Sequence, residues 1–226
     1  MRRGMRRGMR RGMRRGALRA VLPEPVRRMA GHEMRVFASF GMWAARRRHG
    51  VPAGASAFPY ARGQALMMYA FAFVCAVETF GMWALLRDYP VLHRVTLVLD
   101  VYTVVMVLGL HAASVTRPHV VTREALRVRR GAHVDLRIPV ERIAEVRREN
   151  RFTHTPREGE LNLDVGAQTT LTIELAEPVR HMTLLGRPKE ISVVRLHAED
   201  PDRLARALDK VRRGRTRPSP ALDRPV

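Results

Sequence analysis

Two long apolar runs dominate the hydrophobic pattern of this chain. They cover Gln64–Leu86 and Val91–Val115, and a short polar break, Arg87-Asp88-Tyr89-Pro90, separates them. Each run has the roughly 20 residues that a helix needs to cross a bilayer. The pattern therefore predicts a membrane α hairpin, with transmembrane helices at about 64–86 and 91–115 inside a segment 58–117.

After residue 117 the continuous apolar pattern gives way to alternation. Short β-like runs follow one another between turn residues: Val120–Val128, Val134–Ile138, Leu161–Val165, Thr170–Leu175, His181–Leu185 and Ile191–Leu196. Period-two alternation predicts antiparallel strands with one buried face. Asp200 and Pro201 then suit the start of a helix at 201–213. We therefore expect an α+β domain over 118–213, a partly open antiparallel β-barrel or sandwich closed by a C-terminal helix.

Positive charge is distributed unevenly around the two apolar runs. The formal net charge is +20, and the first 63 residues supply 16 arginines against Glu24 and Glu33. The break between the runs contributes only Arg87 and, just beyond it, Arg94. Arginine accumulates on the cytoplasmic side of bacterial membranes. We therefore expect a two-helix protein of the cell membrane with both termini in the cytoplasm.

The first 57 residues are basic and of low complexity. Met-Arg-Arg-Gly occurs four times in succession over 1–16, and this composition predicts a disordered arm. Two interpretations stay open: a polybasic arm on anionic lipid, or an overcalled start in an arginine-rich reading frame with four in-frame methionines. Nucleic acid is not an expected partner. Helical spacing of apolar residues near 29–46 predicts an interfacial helix, and 214–226 reads as a disordered tail.

Several short segments resemble a known family. They are Pro59-Tyr60-Ala61-Arg62 before the first run, Val77-Glu78 within it, Leu126–Gly131 and Leu136–Ile143 in the strand region, and His197–Pro201 before the last helix. Together they are similar to bacterial, particularly actinobacterial, two-helix integral membrane proteins with a C-terminal pleckstrin-homology-like cytoplasmic domain. The likeness spans about 58–211. It implies an architecture and carries over no activity, substrate or catalytic residue.

A small group of ionisable residues lies inside the two apolar runs. Glu78 and Asp100 are each 11 residues from Tyr89, so a hairpin places both carboxylates at similar depth. His93, Asp100 and His111 fall on one line of the second helix. The stripe formed by these four residues is expected to face a partner helix or another subunit. It either joins helices, within the chain or in an oligomer, or handles protons or cations in a transport accessory role.

The other candidate functional residues indicate binding rather than catalysis. Arg147, Arg148 and Arg151 form a basic cluster that anionic lipid headgroups could contact, although Glu145 and Glu149 interleave with it. Cys75 is the one cysteine, and the sequence offers no phosphate-binding glycine loop or nucleophile motif. We therefore expect no enzyme, no metal site and no cofactor. The predicted function is a membrane-anchored binding or scaffold module whose partners are the bilayer, a homo-oligomer or another membrane protein.

Overall fold

The computed structural model describes residues 24–153, 155–183 and 186–216. These residues form four α-helices: α1 (Glu24–Ala44), α2 (Arg62–Leu85), α3 (Pro90–Thr116) and α4 (Pro201–Thr216). They also form eight strands: β1 (Ser56–Phe58), β2 (His119–Val121), β3 (Ala125–Arg130), β4 (Val134–Pro139), β5 (Ile143–Arg151), β6 (Glu160–Leu163), β7 (Thr169–Met182) and β8 (Pro188–Leu196). A 3-10 turn, Val140–Arg142, joins β4 to β5. The fold combines helices and sheets, as predicted.

The predicted helical hairpin is confirmed. Helices α2 and α3 begin and end within two residues of the predicted bounds, and Pro90 occupies the first turn of α3, where its missing N–H is not needed. Both are long and apolar enough to cross a membrane, and in their most apolar windows only 11% and 22% of the residues are buried. The core helix of a soluble protein would be mostly buried, so these helices present their apolar side chains outward.

The prediction of a disordered arm over 1–57 is wrong for its described part. Helix α1 begins at Glu24, before the predicted helix near 29–46, and β1 lies within the first sheet. Val36 on α1 is fully buried against α3. The small residues Gly109 and Ala113 let the two helices approach closely, and this contact orders α1. Residues 1–23, which contain the repeat, lie outside the described residues.

Two four-stranded sheets make up the β region. Their strand orders are β1-β2-β3-β4 and β5-β7-β8-β6. The first sheet is antiparallel, whereas β6 pairs parallel to β8 in the second, and the sheets do not close into a barrel. The prediction of an entirely antiparallel barrel or sandwich is therefore only partly correct. The long chain between β6 and β8, which includes β7, supplies the crossover that a parallel pair needs.

One hydrophobic core holds both sheets and α4 together. Leu126 and Ile138 of the first sheet, Ile173 of the second and Leu204 of α4 are fully buried in it. The Asp200 carboxylate accepts a hydrogen bond from the Arg203 N–H at 2.8 Å, which confirms the predicted cap. Helix α4 continues to Thr216, past the predicted end at 213, so the first three residues of the predicted tail are helical. Residues 217–226 lie outside the described residues.

Turn chemistry divides one predicted strand. The run Val120–Val128 is interrupted between β2 and β3, because the Thr122 hydroxyl accepts hydrogen bonds from the N–H groups of Glu124 and Ala125. Such short side-chain bonds to nearby backbone favour turns over strands. Only the first two residues of the strand predicted at His181–Leu185 belong to β7, because β7 ends at Met182. The last two residues of that prediction lie outside the described residues.

Candidate functional site

The polar stripe of α3 faces α2. His93, Thr96 and Asp100 of α3 line a closed gap opposite Thr79 and Trp83 of α2, and the gap leaves no space for a water molecule. The Asp100 Oδ2 atom is buried there without a hydrogen-bond partner among the described residues. The stripe thus lies in the seam between the two long helices.

Glu78 does not join this seam. Its side chain is exposed on the outer surface of α2, and it makes no ion pair or hydrogen bond within the described part of the chain. The two carboxylates that the sequence places at similar depth therefore do not form one site within a single chain.

His111 lies apart from His93 and Asp100, at the other end of the stripe. Its ring meets Tyr69 of α2 edge-on at 4.8 Å between centroids, and Trp43 at the end of α1 lies at 6.3 Å. The side chain is only 3% exposed, and its Nδ1 atom has no hydrogen-bond partner among the described residues. A buried polar atom without a partner is uncommon in folded proteins and calls for an explanation.

The predicted lipid-binding arginines are all paired with carboxylates. Arg147 contacts Glu145 at 2.9 Å and Glu174 at 2.7 Å. Arg148 pairs with Asp202 on α4, and Arg151 pairs with Glu149 at 3.4 Å. The Arg148 guanidinium, through its hydrogen bond, lowers the pKa of Asp202. Arg147 and Arg148 thus link β5 to β7 and α4, Arg151 pairs within β5, and the charge of all three arginines is compensated on the protein itself.

A buried polar network joins the loop after α1 to the first sheet. The Arg129 guanidinium, 1% exposed, donates to the carbonyl oxygens of His49 at 2.8 Å and Gly50 at 3.2 Å. The Arg129 N–H donates to His119 Nδ1 at 3.1 Å, so His119 Nε2 donates to the His197 carbonyl at 3.0 Å. Burial lowers the pKa of His119 to about 4. The network fixes residues that connect the helices to the sheet.

Tyr60 completes the same network. Its ring stacks on His119 at 4.7 Å between centroids, and its hydroxyl accepts a hydrogen bond from the Gly131 N–H at 2.7 Å. Burial raises the pKa of Tyr60 to about 12. This tyrosine belongs to the Pro-Tyr-Ala-Arg segment, so the motif before α2 anchors that helix to the β domain.

Arg117 holds α1 at the end of α3. Its Nε donates to the Ser39 hydroxyl at 3.2 Å, and its Nη2 donates to the Arg35 carbonyl at 3.4 Å. Because Arg117 is 7% exposed and Ser39 is fully buried, these bonds are shielded from water. Helix α1, the end of α3 and the β domain therefore form one continuous packed junction.

A cavity of about 590 Å³ opens at this junction. It lies between the end of α1, the start of α2 and the end of α3. Its lining combines arginines with apolar and small polar side chains, namely Trp43, Ala44, Arg46, Arg47, Arg48, Pro59, Ala61, Arg62, Ala65, His111, Ser114, Val115, Thr116, Pro118 and Glu199. It includes His111 from the polar stripe and Arg62 from the Pro-Tyr-Ala-Arg segment.

Sequence reasoning missed this junction. Arg117, Arg129 and His119 occur in runs that read as ordinary solvated positions, and no periodicity marks them as buried. One signal was available: Gly109 and Ala113 have the four-residue spacing of small residues that is common where membrane helices touch. That spacing would have indicated a third helix on α3.

No group of three or more histidine, cysteine, aspartate or glutamate side chains in the described ranges is placed to hold a metal ion. Comparison with protein family models, with curated proteins and with solved structures found no match to this chain.

Proposed function

We propose that this chain is an integral membrane protein that holds a small cytoplasmic domain against the inner leaflet as a binding or scaffold module. The observation that carries this proposal is the contrast along α3. Its first two-thirds expose apolar side chains such as Val98 and Val101, whereas its last turns are buried by α1 and the β domain. A helix that is half bare and apolar and half packed fits a lipid span that ends in a docked domain.

Charge supports the orientation. Arg46, Arg47, Arg48 and Arg62 surround the end of the hairpin that carries the domain, whereas Arg87 and Arg94 lie at the opposite end. The excess of arginine at the domain end supports an orientation in which this end, and with it both termini, faces the cytoplasm. Helix α1 then lies in the interface. Met34, Phe37 and Phe40 of α1 expose apolar side chains, and Phe37 lies beside Val98 and Val101 on the exposed apolar surface of α3.

The β domain fits a pleckstrin-homology-like module in outline. Two four-stranded sheets share one core, and a C-terminal helix covers it. The resemblance in the strand region and at His197–Pro201 suggests the same kind of domain, whereas the parallel pairing of β6 with β8 departs from the antiparallel arrangement expected of it. Such domains suit the binding of lipid headgroups or protein partners, although fold alone does not name a ligand. Glu78 points outward from α2, where an ionisable side chain is costly in contact with lipid. A second copy or another membrane protein would shield it from the lipid.

Membrane insertion and orientation are tested by cysteine accessibility in the full chain. In a Cys75→Ser background, Asp88→Cys places a thiol in the turn and Glu190→Cys places one in the β domain. A membrane-impermeant maleimide is expected to label the first in intact cells and the second only after permeabilisation. Labelling of Glu190→Cys from outside intact cells, or recovery of the chain in a detergent-free high-speed supernatant, would refute the proposal.

The scaffold role is tested through the two lysines of the chain. Lys189 and Lys210 both lie on the β domain. In native membranes an amine-reactive cross-linker therefore attaches to the β domain through these two side chains, apart from any reaction with the N-terminal amine. A recurrent cross-linked neighbour that is lost in Lys210→Arg, a variant that keeps the charge, is the expected result. Absence of any cross-linked protein from Lys189 and Lys210 argues against a scaffold.

A further inference from the structure

We propose that the junction cavity binds the headgroup of an anionic phospholipid drawn from the surrounding leaflet. This inference rests on the proposed membrane insertion and names a ligand for the module. The cavity volume of about 590 Å³ lies in the usual range for small-molecule sites, roughly 300–1,000 Å³. Basic pockets between membrane helices on the cytoplasmic side are known to hold anionic lipid headgroups.

Most of the positive charge at the cavity is uncompensated. Four arginines line it against one carboxylate, Glu199. Glu199 is engaged by Arg62, whose backbone N–H donates to it at 2.9 Å and whose Nε lies 3.5 Å from it. Arg46, Arg47 and Arg48 have no carboxylate within ion-pair distance among the described residues. In this respect they differ from Arg147, Arg148 and Arg151, each of which has one.

The inner lining explains why the ligand is a lipid rather than a soluble anion. Trp43, Ala65 and Val115 give the cavity apolar walls, which a free phosphate would not use. An amphipathic indole such as Trp43 favours the headgroup level of a bilayer. The arginines supply hydrogen-bond donors for phosphate oxygens. The cavity can therefore contact both the polar headgroup and the apolar part of one lipid molecule.

His111 provides the second, independent observation. It is 3% exposed, it lines the cavity, and its Nδ1 has no partner among the described residues. A headgroup oxygen in the cavity would provide the missing hydrogen-bond partner. The same occupant would thus satisfy the unpaired arginines and the orphaned histidine nitrogen.

Arg46 offers an unusually clean test. It follows α1 with φ of +52°, and the Arg46 and Arg47 N–H groups donate to the carbonyls of Trp43 and Met42 in a Schellman arrangement. Glycine is the favoured residue at that position. Arg46→Gly therefore removes a cavity charge while relieving backbone strain, so a loss of binding cannot be attributed to unfolding.

The experiment uses the full chain in lipid nanodiscs. Trp83→Phe leaves Trp43 as the single tryptophan of the two, so its fluorescence reports only on the cavity. Quenching is compared between phosphatidylglycerol and phosphatidylcholine that carry a nitroxide near the headgroup, at equal mole fraction. We expect phosphatidylglycerol to be preferred, and each of Arg46→Gly, Arg47→Gln and Arg48→Gln to weaken that preference about fivefold.

Controls separate the site from general attraction. Arg147→Gln removes the same charge from a paired position and is expected to change nothing. His111→Phe keeps a ring against Tyr69 but removes the nitrogens, and is expected to weaken binding roughly two- to tenfold. Inorganic phosphate in excess should not displace the labelled lipid, whereas unlabelled phosphatidylglycerol should.

The outcomes are distinct from those of the proposed function. Flotation with liposomes is measured first, and a chain that does not float refutes membrane insertion itself. A chain that floats but is quenched equally by both lipids refutes the lipid site alone. Equal weakening by Arg147→Gln and Arg46→Gly, or displacement by inorganic phosphate, would likewise overturn the assignment.

Discussion

Close packing of α1 on α3 is expected to make Gly109 intolerant of even one added methyl group. A Cβ built at Gly109 would lie 2.6 Å from Val36 Cγ1, whereas ordinary contacts are 3.4–4 Å. Val36 is fully buried and branched at Cβ, so it cannot swing away. Gly109→Ala must therefore push α1 outward by about 1 Å or force a strained rotamer.

Two opposing contributions set the size of the effect. Overpacking of a tight core contact costs about 1–3 kcal/mol. Alanine is the better helix former by about 1 kcal/mol. The local free energy of opening α1 is therefore expected to fall by up to about 2 kcal/mol, which is roughly a 30-fold faster amide exchange in α1. Exchange in α2 should not change.

Hydrogen exchange followed by mass spectrometry, on the full chain in detergent, measures this effect. Gly81→Ala is the matched control, because nothing lies within 4 Å of its Cβ position on α2 and no loss is expected. Val36→Ala makes room for the new methyl group. The double variant, Val36→Ala with Gly109→Ala, should therefore lose less stability than the sum of the losses in the two single variants. Purely additive effects would show that the two residues are not in contact.

Three further predictions concern the membrane surface, one turn and pH. An outward carboxylate costs about 3 kcal/mol in lipid, so contact between two copies that covers Glu78 would be favourable. Glu78→Gln should therefore reduce fluorescence energy transfer between labelled copies in vesicles, with Asp88→Asn as the control. Unchanged energy transfer in Glu78→Gln would contradict self-association through this surface. Ala167 has φ of +60° beside Gly166 in the turn before β7, so Ala167→Gly should raise the free energy of unfolding by about 0.5–1 kcal/mol in urea titrations, and a loss would show that the turn is not strained. Burial lowers the pKa of His119 from 6.5 to about 4, and it lowers the pKa of His133 to about 4 as well. The unfolded chain therefore takes up these protons first, and stability falls as pH drops from 6.5 to 4, with His119 contributing about 3 kcal/mol at the acid end. His119→Gln should reduce this pH dependence and leave the part due to His133, and a urea midpoint that does not change between pH 7 and pH 5 would contradict the reasoning.

Long-range packing accounts for most of what sequence reasoning did not reach. Arg129 alternates with Leu126 and Val128 like a solvent-facing residue of a strand, and its burial comes from the loop at His49–Gly50, about 80 positions earlier in the chain. Arg147 reads as a free basic residue until Glu174 of a neighbouring strand is placed beside it. Glu78 and Asp100 are equally spaced from the turn, but helix rotation points one outward and the other into the seam.

The sequence by itself determined the two apolar helices, their bounds and the alternating strands, because these depend on run length and on a two-residue period within one segment. Asp200 and Pro201 likewise marked the start of α4 through local backbone chemistry. Only the tertiary structure decided that residues 24–58 belong to the fold, that β6 runs parallel to β8, and that Arg46 and His111 line one cavity. Those features depend on surfaces brought together from distant parts of the chain, where steric fit, burial and charge compensation replace local periodicity.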